Sequence, residues 1–93
     1  MSAYVVVHAT IKDQEQLKAY AGAAGPTVEA HGGEFVARGP SEALTGDDPH
    51  QIMVVIRFPN RQAATDWYHS DAYQAVIPIR EQSMDANFIL ACD

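Results

Sequence analysis

The residues of this 93-residue chain that could do chemistry fall into two groups. The first is three strand-borne basic side chains, His8, Arg38 and Arg57. An imidazole, whose ordinary pKa lies near neutrality, can act as an acid or a base. A guanidinium can grip a carboxylate or phenolate through paired hydrogen bonds. The second group is the stretch FPNRQAATDWYHSDAYQAVIPIR, residues 58 to 80, which gathers Trp67, Tyr68, Tyr73 and Arg80. Aromatic rings closed by an arginine between a helix and a sheet would suit a small aromatic or carboxylated molecule.

Two readings of these residues stand side by side. In one, Arg38 and Arg80 hold an anionic group, His8 supplies acid–base chemistry with Arg38, and Arg57 adds to the ligand site. Trp67, Tyr68 and Tyr73 then form its apolar wall. In the other, the same side chains fill a core and an interface: an arginine pairs with Glu34 or Glu42, and Trp67 packs on the sheet. The first describes a small-molecule binder, with a cofactor-independent oxygenase, isomerase or lyase as its enzymatic form. The second describes a non-catalytic binding or structural module.

Other chemistries find little support. The four histidines, at 8, 31, 50 and 69, form no HxH or HExxH, so no metal site is expected. GDDPH, residues 46 to 50, could catch a cation at a loop but reads more simply as a solvated turn. There is no GxGxxG, Walker loop or GxSxG, and no cofactor is expected. Cys92 is the single cysteine, so no intrachain disulfide can form; it reads as a buried or incidental thiol.

The elements that must position these groups can be read from periodicity. Residues 3 to 11, AYVVVHATI, are rich in β-branched side chains and predict a strand; residues 34 to 38, 51 to 58 and 87 to 92 predict three more. Asp13 is a candidate N-cap for a helix with Leu17, Tyr20, Ala21, Ala24 and Val28 on one stripe. Pro26 is expected to break or kink it, and Gly32-Gly33 to end it. Asn60 is placed to cap a helix over residues 61 to 69, and a further helix carries Tyr73, Val76 and Ile77 until Pro78 kinks or ends it. The order β-α-β-β-α-β gives a ferredoxin-like α+β fold, with helices on one face of a four-stranded antiparallel sheet, and one domain over residues 1 to 93.

Both faces of that sheet are apolar. The first strand has Ala3, Val5, Val7, Ala9 and Ile11 on one side and Tyr4, Val6, His8 and Thr10 on the other. The third has Ile52, Val54, Ile56 and Phe58 against Met53, Val55 and Arg57. Helices can cover only one face, and an uncovered apolar face asks for a partner. A two-fold homodimer through the sheet face is therefore expected. Simple alternation places His8, Arg38 and Arg57 together on the less apolar side.

Composition sets outer limits. Hydrophobic residues make up 47% and charged residues 19%, ordinary for a globular chain. A formal charge of −6 argues against nucleic acid, which requires a basic face. The N-terminal apolar run lacks a basic leader and falls far short of the ~20 residues of a membrane helix. A cytoplasmic protein without a membrane partner is expected.

AYVVVHATIKDQEQLKAYAGAAGPTVEAHGGEFVARG, followed by VVIRFPNRQAATDWYHSDAYQ and Arg80, resembles the domain-of-unknown-function 1330 family across nearly the whole chain. The resemblance rests on the Tyr-led first strand, Pro26 before Gly32-Gly33, Arg38-Gly39, Phe58-Pro59, Trp67-Tyr68, Ser70, Tyr73 and Arg80. It implies a dimeric α/β-barrel fold, a superfamily that includes cofactor-independent monooxygenases, muconolactone-type isomerases and ligand-sensing domains. Against the family's usual pattern, His8 stands where an acidic residue is common, Arg57 lies near a second such position, and Pro40 follows Arg38-Gly39 where RGG is common.

Overall fold

In the computed structural model, which describes residues 1–47 and 50–93, strand β1 (Ala3–Ile11) leads into helix α1 (Gln14–Ala30) and strands β2 (Glu34–Pro40) and β3 (Ile52–Phe58). Helices α2 (Arg61–His69), α3 (Asp71–Gln74) and α4 (Ile77–Ser83) follow, then strand β4 (Met84–Cys92). The strands lie in the order β2-β3-β1-β4, all antiparallel. This is the expected ferredoxin-like βαββαβ path.

The expected barrel does not form. β2 and β4 stand at opposite edges of a four-stranded sheet, and the sheet stays open. Closure with a filled interior takes on the order of eight strands, twice what this chain supplies.

Asp13 starts α1 by accepting hydrogen bonds from the Glu15 and Gln16 backbone N–H groups at 3.0 and 3.2 Å. The break expected at Pro26 is absent, because α1 runs on to Ala30. Proline removes one donor to the Gly22 carbonyl, but Gly22 is exposed, so water can serve that carbonyl. Ala24, Thr27 and Val28, on both sides of the proline, are buried and hold the helix to the sheet. The single helix expected after Ser70 is instead two. Pro78 sits in the first turn of α4, where its missing N–H is harmless, and the break falls before it. β4 begins at Met84 rather than at Asn87, since residues 84 to 87 pair with Ile11 back to His8 despite their poor strand propensity.

Burial alternates along β1. Ala3, Val5, Val7 and Ala9 are buried, while Tyr4, Val6, His8 and Thr10 are partly exposed. The helices cover the first set with Ala24 and Val28 of α1, Ala64 and Trp67 of α2 and Tyr73 of α3. The buried Trp67 indole N–H donates to Thr27 Oγ1 at 3.0 Å, and Thr27 in turn donates to the Ala24 carbonyl at 2.6 Å. Gly32, at φ 76°, ends α1 in the left-handed region. Gly33 lies so close to the core that a Cβ would stand 2.7 Å from both Phe58 and Val28. Among the described residues, no helix is long and apolar enough to cross a membrane. Cys92 is exposed rather than buried.

Candidate functional site

An irregularity in β2 decides where the first arginine goes. Glu34 and Phe35 face Arg57 and Ile56 across the ladder, but Ala37 then faces Val55, so Val36 is an extra residue. Beyond this bulge Arg38 stands opposite Val54, on the helix-covered face. The expected grouping of His8, Arg38 and Arg57 is corrected accordingly. Without the bulge, period-two alternation would have set Arg38 opposite Met53, beside His8.

Arg38 lies at the rim of a cavity of about 320 Å³ between α1 and the sheet. The cavity passes from Phe35 and Arg38 on β2 to Met84 and Phe88 on β4, with Val7, Val54 and Ile56 between. Phe35 and Arg38 are both exposed, and the guanidinium lies 5.2 Å from the Phe35 ring centre. The lining is almost wholly apolar. Its polar side chains are Arg38, Tyr20 and Trp67, and the Trp67 N–H is already committed to Thr27.

Behind Tyr20 lies a second polar layer. The Tyr20 and Tyr73 hydroxyls are 2.7 Å apart. Arg80 Nη1 donates to Tyr73 Oη at 3.1 Å and to Tyr68 Oη at 3.2 Å, and Nη2 donates to Glu81 at 3.0 Å. The Arg80 guanidinium also sits 4.6 Å from the Phe88 ring centre. Burial, reinforced by the neighbouring Tyr73, pushes the Tyr20 phenol well above the ordinary tyrosine range. Burial raises Tyr73 too, with its hydrogen bonds to Tyr20 and Arg80 pulling the other way. For Arg80, burial works against the charge, but the bonds to Tyr68, Tyr73 and Glu81 outweigh it and keep the guanidinium protonated.

The residues expected from sequence are therefore divided. Arg38 and Trp67 reach the cavity. Tyr68, Tyr73 and Arg80 come together as expected, although Tyr73 and Arg80 lie on separate helices. They stand behind the cavity wall. Arg57 is on the open face, paired with Glu34. His8 is on that face as well; its Nε2 lies 3.3 Å from Ser41 Oγ, and its ring packs edge-on against His50 at 5.1 Å. His50 Nδ1 lies 2.9 Å from Thr10 Oγ1. Residues 48 and 49 of the GDDPH loop lie outside the described residues. Among those described, no three His, Cys, Asp or Glu side chains are placed to hold a metal ion.

Tyr20 is the site residue that sequence reading missed. It passed as one member of an apolar helix stripe, yet a phenol on a stripe that faces the core must find a hydrogen-bond partner there. That was the available signal.

Comparison with known proteins follows the same lines. The family described as Domain of unknown function (DUF1330) matches residues 2–92. No curated protein matches the chain. Among solved structures, a protein of unknown function from Rhodopseudomonas palustris is similar, with a TM-score of 0.79 at 17% identity, covering 99% of this chain and 82% of its own. SnoaB, a cofactor-independent oxygenase from Streptomyces nogalater, has a TM-score of 0.72 at 9% identity, with 99% and 92% covered. A dimeric ferredoxin-like protein of unknown function from Thermobifida fusca has a TM-score of 0.67 at 13% identity, with 100% and 92% covered. At such identities the likeness is one of fold.

Proposed function

The chain belongs to the DUF1330 family, and we propose that it binds a small, largely apolar molecule bearing an anionic group in the cavity between α1 and the sheet. The observation that carries this reading is the lining itself: about 320 Å³ of nearly continuous apolar wall with the Arg38 guanidinium at its rim. That volume is at the lower end of small-molecule pockets, and one convergent charge in an apolar cleft is how such pockets orient a ligand. Arg38 receives a carboxylate or phenolate, and Trp67 walls the apolar part. Tyr68, Tyr73 and Arg80 support the wall from behind, while Arg57 is held by Glu34 on the other side. His8 has the whole sheet between it and the cavity, so this reading assigns it no acid–base role on the bound molecule.

The cofactor-independent oxygenase SnoaB uses the same fold, which supports an enzymatic use of such a cavity without selecting a reaction. On the open face, Val6, Met53, Val55 and Ile89 form an apolar surface that we assign to a second copy of the chain, a reading supported by the Thermobifida protein of the same fold being described as dimeric. Light scattering on the purified protein is expected to give twice the chain mass, and Val55→Glu to halve it. A monomeric wild type would end the dimer assignment.

Calorimetric titration tests the cavity. Naphthalene and 2-naphthoate are both expected to bind, with Arg38→Gln weakening naphthoate by about tenfold and leaving naphthalene unchanged, the loss of one charge-assisted contact. If neither compound binds the wild type, the cavity is not a ligand site.

A further inference from the structure

The phenol–arginine layer has a direction. Arginine can only donate, so Arg80 gives one proton to Tyr73 Oη and takes none back. Tyr73 is fully buried, and its own hydroxyl proton must find an acceptor. Tyr20 Oη, at 2.7 Å, fills that need. Were Tyr20 instead the donor in this pair, Tyr73 would accept twice and its proton would be left without an acceptor in a dry site. The chain of donors therefore runs from Arg80 to Tyr73 to Tyr20. The Tyr20 proton is the one this chain of donors leaves unassigned, on a residue that lines the cavity.

From this geometry we propose that Tyr20 is a hydrogen-bond donor to the ligand, and that the cavity selects molecules with a carbonyl oxygen at the end remote from Arg38. The inference rests on the cavity being a ligand site and names the class of ligand it takes: an apolar compound with a carbonyl oxygen for Tyr20 and room for an anionic group at Arg38. Arg38 is on the β2 edge, while Tyr20 bonds to Tyr73 and through it to Arg80, which packs on Phe88 of the β4 edge. Arg80 and Tyr73 are positioning residues, polarising the phenol so that it donates more strongly than an isolated tyrosine. The high affinity of Tyr20 for its proton keeps it a donor across the working range of pH.

The test compares 2-acetylnaphthalene with naphthalene on the full chain. The ketone is expected to bind about tenfold more tightly, the gain from one polarised hydrogen bond. Isotope-edited infrared spectra should show its carbonyl stretch moved to lower frequency on binding. Tyr20→Phe keeps the ring and should abolish both the preference for the ketone over naphthalene and the shift. Tyr73→Phe should shrink the shift without changing naphthalene affinity, an effect that a purely structural role would not produce. Equal affinity for the two compounds, or an unshifted carbonyl in the wild type, overturns the proposal even if no variant can be purified. Failure of naphthalene itself to bind would remove the ligand site and this proposal with it, a result distinct from loss of the ketone preference alone.

Discussion

The two faces of one sheet solve the same problem in opposite ways. On the covered face, apart from the exposed Arg38 at the rim, polar groups are few and tied into a buried arrangement: Trp67 to Thr27, and Tyr20 through Tyr73 to Arg80. On the open face, His8, His50, Thr10 and Ser41 cluster near one end and Arg57 pairs with Glu34, both of the latter substantially exposed to water. The chemical letters are similar, but the surroundings differ. A hydrogen bond to a charged group is worth more where water cannot compete for it, and a missing partner is dearer there. The comparison teaches that the arginine to watch is set by its layer rather than by its strand.

The contrast is most open to attack at the two arginines. Arg80→Leu strips donors from two phenols and a cation from Phe88, and should lower urea-unfolding stability by about 2–3 kcal/mol. Arg57→Ala removes an exposed pair and should change it by less than about 1 kcal/mol. Equal losses would erase the distinction between the faces. The glycines sharpen it next. Gly33→Ala drives a methyl into Phe58 and Val28 and should destabilise by about 1–3 kcal/mol, whereas Gly39→Ala meets open space and should stay within about 0.5 kcal/mol.

Alkali offers a third comparison. The Tyr20 phenol keeps its proton in the folded chain at pH values where the unfolded chain, with the ordinary pKa of 10.0, has begun to lose it. Its contribution is therefore complete below pH 10.0 and falls away as pH rises above that value. Equilibrium unfolding should show a decline approaching about 1.4 kcal/mol per pH unit for each phenol so held. Tyr20→Phe should remove one such slope, and an unchanged profile would contradict the burial argument.

Two binding measurements complete the series. Deletion of Val36 should remove the bulge yet leave Arg38 opposite Val54 on the covered face, so 2-naphthoate affinity should stay within about twofold. Circular dichroism would confirm that the fold survives. His8→Ala, with the sheet between it and the cavity, should leave that affinity within about twofold; a larger loss would mean that the ligand is on the other side.

Most of the path is legible in the sequence. β1 carries a run of β-branched residues and α2 a cap signal, and both lie where those residues and Asn60 place them. The split between α3 and α4 was half visible, since Pro78 announces a disruption but not its side. Residues 84 to 87 were illegible because Asp85 and Asn87 disfavour strand locally and are held there by pairing with β1, a contact with distant sequence. At the site, the aromatic stretch and its arginine were readable as a unit. Alternation puts Arg38 on the open face, and its true place opposite Val54 follows from a bulge that leaves no mark in composition. Tyr20 was hidden by the same stripe that buries it.

The bulge at Val36 also bears on how such a chain can change over generations. β2 has one ladder neighbour, so an added residue there disturbs a single set of hydrogen bonds; in β1, held between β3 and β4, it would disturb two. Insertion and deletion are thus tolerated at the rim and resisted at the centre. A lineage can gain or lose one codon in an edge strand as a bulge and still keep an arginine beyond it on the same side of the sheet. Descendants aligned residue for residue would show that arginine displaced by one position while it served the same compartment in each.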